Sequence, residues 1–181
     1  MLAMADRHTS TAETPRCTSP IAALEGALEE LAAVVAALSP EAYGARLFPN
    51  ASGSIGEHVR HCVDHVSALV SADPSSCLSY DRRDRGTAVE TDQAQALRCI
   101  QLLRIKIAVG RWSTRLDEPI CVVSTVARGG AMLSGMSTLA RELAFVLNHT
   151  IHHQAMIGLL ASLHGCEVPD GFGFAPSTPR Q

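Results

Sequence analysis

Six of the eight histidines in this 181-residue chain fall into two short groups. His58, His61 and His65 form one; His149, His152 and His153 form the other. On a helix turning about 100° per residue, the first three span about 60° of surface, beside the apolar stripe rather than at its centre. His149 and His153 stand in i, i+4 relation, about 40° apart, so both can reach one ion. Two imidazoles from one helix and a third from a facing helix make an open three-His centre. Water or substrate takes the fourth position, as in catalytic metal sites. These residues alone do not select which of His58, His61 and His65 supplies the third donor. A helical histidine is also commonly a surface group or a satisfied core residue, and on that reading the two groups are the polar lining of a cleft. The H-E-x-x-H pattern of metalloproteases is absent.

Other residues carry chemistry of their own. His65 is a candidate general base beside such a centre, or a ring hydrogen-bonded to Asp64 or to backbone; His58 is a comparable candidate. Tyr80, Arg82 and Arg83 sit in the charged run Tyr80-Asp81-Arg82-Arg83-Asp84-Arg85. They read either as an anion clamp, guanidinium forks holding a carboxylate, or as a solvated connection with local ion pairs. Cys62 adjoins His61 on the apolar side and reads as packing. Phe172 and Phe174 read as a cover over one end of the fold, or as a lid on the site.

The elements that position these residues follow from periodicity and punctuation. Ser19-Pro20 supplies an N-cap and a first-turn proline. Apolar residues at Ile21, Leu24, Leu28, Leu31, Val35 and Leu38 then mark a narrow helical seam ended by Ser39-Pro40. A loop over 40–53 leads to Ser54, which caps a second helix with Glu57 as capping-box partner; Asp73-Pro74 stops that helix. A third helix is expected from about Ala88 to Leu116, with Leu97, Ile100, Leu103, Ile107 and Trp112 facing the core. Ile120–Val126 is the one good strand signal, and Gly129-Gly130 suggests a hairpin with Met132–Ser134. The fourth helix is expected from near Ser137 to Leu163, apolar nearly all round and hence the most buried. Four long helices with short links predict an all-α four-helix bundle with a small β-hairpin before the last helix. Its boundaries are expected at 1–18 for a disordered N-terminal tail, 19–166 for the bundle, and 167–181 for a C-terminal extension packed on it.

Composition narrows the partners. The chain is 46% hydrophobic and 18% charged, with a formal net charge of −3. That excludes a disordered polyelectrolyte and argues against nucleic acid. Aromatics are 4%, too few for base-stacking platforms. The longest stretch without a formally charged side chain, 143–166, contains Asn148, His149, His152, His153, Gln154 and His164, too polar for a membrane span. None of the six cysteines forms a C-x-x-C pair, and the N-terminus has no apolar leader. The expectation is a cytoplasmic protein with reduced, mostly packed thiols.

The segment Ser54-Ile55-Gly56-Glu57-His58-Val59-Arg60-His61-Cys62-Val63-Asp64-His65 resembles the S-I-x-E-x-x-x-H stretch that opens the second helix of DinB-like (YfiT-like) proteins. Asn148-His149-Thr150-Ile151-His152-His153-Gln154 resembles the N-H-x-x-H-H-R-G-Q segment on that family's last helix, with Gln154-Ala155-Met156 in place of R-G-Q. The resemblance covers roughly residues 19 to 165. It implies a four-helix bundle with a long cross-connection and a hairpin before the last helix. It implies metal ligands at His61, His149 and His153, with His58, His65 and His152 as neighbours. The implied ion is divalent, zinc or nickel first, iron or manganese next. The implied chemistry is that of a metal-dependent enzyme acting on a small molecule, including thiol-dependent transfer or isomerisation with a low-molecular-weight thiol. The alternative is a non-catalytic metal- or small-ligand-binding protein using the same cleft. A homodimer is a further expectation, since the seam on the first helix needs a partner, although packing within the chain would also satisfy it.

Overall fold

A computed structural model describes residues 19–48, 53–82 and 85–178. The N-terminal tail and Arg83 lie outside these residues. The first long helix, α1, is Pro20–Ala37. Pro20 occupies its first turn as expected, but the Ser19 side chain makes no capping bond. At the opposite end of α1 the carbonyls of Val35 and Leu38 accept from the Gln93 side-chain amide, and Val35 also accepts from Leu38 N. Part of the expected 40–53 loop is a short helix, α2, Pro40–Gly44, capped by the Ser39 hydroxyl. It buries Tyr43, whose hydroxyl donates to the Val89 carbonyl.

Helix α3, Ile55–Val70, starts on the expected capping box: Ser54 Oγ accepts from Glu57 N, and Ser54 N donates to Glu57 Oε2. Gly56 lies so close to the Ala88–Glu90 segment that an added Cβ would meet the Glu90 carbonyl oxygen at 2.0 Å.

The single helix expected over 88–116 is broken at both ends. Ala88–Glu90 is a 3-10 turn, Asp92 then caps Gln95 N, and α4 runs Gln93–Val109. It stops at Gly110 because Trp112 folds back in its own 3-10 turn and donates to the Ile107 carbonyl. Trp112 is buried as expected, but in this 3-10 turn rather than on α4.

Strands β1, Pro119–Thr125, and β2, Met132–Thr138, form an antiparallel hairpin pairing Val122 with Gly135. β2 is longer than expected and runs directly into α5, Leu139–Leu163. Leu78 adds a parallel bridge to Val122.

The described residues are thus mostly helical, with one small hairpin before the last helix. α1 packs on α4 and α5, and α3 packs on the same two helices. The core between them includes Leu24, Leu28, Leu31 and Val35 of α1, Val59, Val63 and Val66 of α3, Ile100 and Leu103 of α4, and Leu143, Val146 and Ile157 of α5. The α1 seam is therefore covered within the chain. The expectation that α5 is the most buried helix fails: it buries nine of its 25 residues against nine of 16 on α3, and its Leu159 and Leu163 face solvent. Its buried face is narrow, and Gln154 on it donates to the Ala27 carbonyl of α1 at 2.7 Å. Phe172 is buried near Gly158 while Phe174 is exposed. Phe172 also shares a surface groove with Glu30 and Ala33 of α1. No helix among the described residues is long and apolar enough to cross a membrane.

One expectation about the cysteines is overturned. Cys77 and Cys121 are joined by a disulfide across a sequence separation of 44. The bridge pins the segment after α3 to β1, where Leu78 N donates to the Cys121 carbonyl and Val123 N to the Leu78 carbonyl. The two half-cystines are 44 residues apart in sequence but meet where this segment joins the hairpin, a proximity that spacing does not reveal. Cys62, Cys99 and Cys166 are free thiols.

Candidate metal centre

Helices α3 and α5 pack together. His61 comes from the middle of α3; His149 and His153 come from successive turns of α5. One ring nitrogen from each can be chosen so that all three lie within 4.8 Å of one another. Nε2 of His149 is 2.8 Å from Nε2 of His61. The His153 ring centroid is 4.5 Å from that of His61 and 4.7 Å from that of His149. All three rings are half-buried. Of the three histidines on α3, His61 is the one that joins this group.

The donor set fits a divalent ion. Neutral imidazoles suit zinc, nickel, iron and copper. Metal–nitrogen bonds of about 2.0–2.1 Å place two tetrahedral donors roughly 3.3 Å apart. The His61 and His149 nitrogens would therefore separate by about half an ångström to admit an ion, a small rotation of either ring. At 2.8 Å one ring's N–H donates to the other's lone pair. Burial, with the neighbouring imidazoles adding to it, lowers His153 to about 3. Its ring is therefore neutral, with a lone pair to offer, at neutral pH.

His58 and His65 lie outside this group of three. His58 Nδ1 is 3.0 Å from His153 Nδ1, and burial lowers its pKa. Its Nε2 is buried and has no hydrogen-bond partner among the described residues. His65 is 5% exposed and donates from Nδ1 to the His61 carbonyl at 3.0 Å. Of its alternative partners, backbone is the one observed; Asp64 instead accepts from Arg60. The His65 ring is stacked on Tyr80, 5.2 Å away and nearly parallel, and on His149 at 4.1 Å. His152 is exposed beside His153. Cys62 is fully buried, and burial pushes its thiol up to about 12, so it packs as a neutral group.

The charged run divides. Tyr80 is buried at the site and donates its hydroxyl to Glu142 Oε2 at 2.9 Å. Ser137 Oγ donates to the other oxygen of the same buried carboxylate at 2.6 Å. Burial, and then the Glu142 charge, push the Tyr80 phenol far above its ordinary range, so it keeps its proton. Arg82 is exposed. Arg83, the third member of the expected clamp, lies outside the described residues.

Sequence reasoning missed Glu142, Phe145 and Arg141 as site residues. Phe145 lies 5.2 Å from Tyr80 and 5.8 Å from His149, and the Arg141 guanidinium stands 5.9 Å above the Phe145 ring. The available signal was helical: 142 and 145 precede His149 by seven and four residues, the spacing of one helix face.

No protein-family model matches the chain. A stretch of 103 residues, 56% of the chain, is 34% identical to the FK506-binding protein 5 of Rhizopus delemar. The chain spans about a quarter, 26%, of that protein's length.

Proposed function

We propose that the protein is a metal-dependent enzyme of DinB-like type, a four-helix bundle acting on a small molecule. His61, His149 and His153 would hold a divalent ion, zinc or nickel before iron or manganese. The reaction is a thiol-dependent transfer or isomerisation using a low-molecular-weight thiol. The single observation behind this reading is the convergence of three imidazoles from α3 and α5 with ligand atoms within 4.8 Å. The order of the sequence motifs and the hairpin before α5 support the same reading. When bound, the ion supplies Lewis acidity to a substrate oxygen, or lowers the pKa of a bound water or thiol.

The chain's own residues do the rest. His153 is kept neutral by burial. His58 meets its Nδ1 and sets the ring's tautomer and tilt. His65 has Nδ1 committed to backbone, so Nε2 is the atom through which it would exchange a proton. Tyr80 and Phe145 wall the site and limit water. Among the described residues the group has three donors, which supports catalysis over a closed binding site. A second copy of the chain, if engaged, would have to dock elsewhere than on the α1 seam.

The test is metal content by elemental mass spectrometry, on untagged protein and on a His149→Ala, His153→Ala double variant. Near one equivalent in the parent and none in the variant is expected. No metal in either, after incubation with zinc, nickel, iron and manganese in turn, would overturn the reading.

A further inference from the structure

Arg141, Phe145, His149 and His153 recur at intervals of four along α5, each step rising about 6 Å and turning about 40°. They form a slanting row from the helix N-terminus to the three-His group. The Arg141 side chain is exposed and its guanidinium sits 5.9 Å above the Phe145 ring centroid. That contact orients the cation without neutralising it. Arg141 has no ion-pair partner among the described residues. The adjacent carboxylate, Glu142, is buried and already accepts from Tyr80 and Ser137. Phe145 in turn lies 5.8 Å from His149, its ring tilted 23° to it. The row therefore offers a cation without an ion-pair partner among the described residues, then an aromatic ring, then two members of the three-His group. Cation and His149 are separated by about two turns, roughly 12 Å of helix axis.

We propose that Arg141 anchors the anionic end of this protein's ligand: a small carboxylic acid with a metal-binding donor roughly 10 Å from the carboxylate. Its apolar middle lies on Phe145. The inference rests on the metal centre proposed above and assigns the substrate class of that same site. A guanidinium fork pairs with a carboxylate through two parallel N–H···O bonds, which fixes the ligand's direction as well as its end group.

The experiment uses zinc-loaded full-length protein and calorimetric titration with three probes: suberic acid monohydroxamate, its methyl ester, and succinic acid monohydroxamate. The hydroxamate grips the ion; the tail differs in charge or length. The suberate acid is expected to bind about tenfold tighter than its ester. It should also bind tighter than the shorter succinate acid. Arg141→Gln should abolish the acid-over-ester preference while leaving ester affinity and zinc content unchanged, and Arg141→Lys should retain part of it. Equal binding of acid and ester to the parent, an unchanged preference in Arg141→Gln, equal affinity for the succinate probe, or no hydroxamate binding to fully zinc-loaded protein would each overturn this inference while leaving the metal centre standing. Failure of the protein to take up zinc at all would overturn the metal centre, and this inference with it.

Discussion

His58 on α3 and His153 on α5 face each other through their Nδ1 atoms, 3.0 Å apart. One of the two rings must carry the proton between them. A metal ligand is steered by the hydrogen bond on its other nitrogen. On the metal centre proposed above, with His153 ligating through Nε2, this contact would make His58 a positioning residue for His153, although it lies outside the three-His group. Replacing His58 with Ala is expected to lower zinc affinity by about 10- to 100-fold. Stoichiometry at saturating zinc should stay near one. Competition with a chromophoric chelator measures both, and unchanged affinity would remove the positioning role.

Acidification should loosen the metal-free protein. Burial and the surrounding imidazoles hold His153 at about 3, against an ordinary 6.5, and burial lowers His58 as well. Between these pH values the unfolded chain binds protons that the folded chain refuses. The stability tied to these neutral rings is thus complete above about pH 6.5 and declines as pH falls toward 3. Thermal midpoints in chelator, taken from pH 7.5 to 4.5, should drop, and His153→Gln should make the profile shallower. A profile of equal steepness in the variant would assign the acid sensitivity elsewhere.

The Cys77–Cys121 bridge closes a loop of 44 residues and ties the Tyr80 segment to β1. Chain-entropy arguments put its contribution at about 2–4 kcal/mol. Reduction with a phosphine, or the Cys77→Ser, Cys121→Ser double variant, should lower the denaturant midpoint accordingly. Hydrogen exchange should accelerate first at the Leu78 and Val123 amides. No change in either quantity would mean that the two backbone bonds and Tyr80 suffice to hold the segment.

Gly56→Ala tests how closely α3 meets the 3-10 turn at Ala88–Glu90. The added methyl would sit 2.0 Å from the Glu90 carbonyl oxygen and 2.8 Å from Tyr43 Cε1. A backbone oxygen cannot swing aside as a flexible side chain can. A loss of about 1–3 kcal/mol is expected by urea denaturation, despite alanine's better helix propensity. A stabilised variant would show that the turn moves freely away from α3.

Much of this was legible in the residues. The Ser54–Glu57 capping box forms as its spacing implies, because both bonds are local. The apolar periods of α1 and α3 place Leu28, Leu31, Val59 and Val66 in the core. The histidine pair on α5 meets His61 because i, i+4 spacing fixes a shared face. What escaped depends on distant partners. Nothing local distinguishes the continuous helix expected over 88–116 from one interrupted by the Asp92 cap and by the return of Trp112 onto Ile107. Cys77 and Cys121 meet only because Leu78 lies beside Val122. Tyr80 reads as part of a charged loop; only the fold brings it to Glu142 and turns it inward.

Gln154 occupies a helix whose apolar residues reach nearly all the way round. Such a helix has several rotational settings that bury comparable area, and grease alone chooses weakly among them. The Gln154 amide, 1% exposed, finds its acceptor on Ala27 in one setting and would be stranded in the others. That setting is also the one that turns His149 and His153 toward α3. The amide's worth is thus measured in uniqueness rather than strength. A leucine at this position would keep the helix buried while freeing it to settle at more than one azimuth, with its histidines aimed at nothing in common.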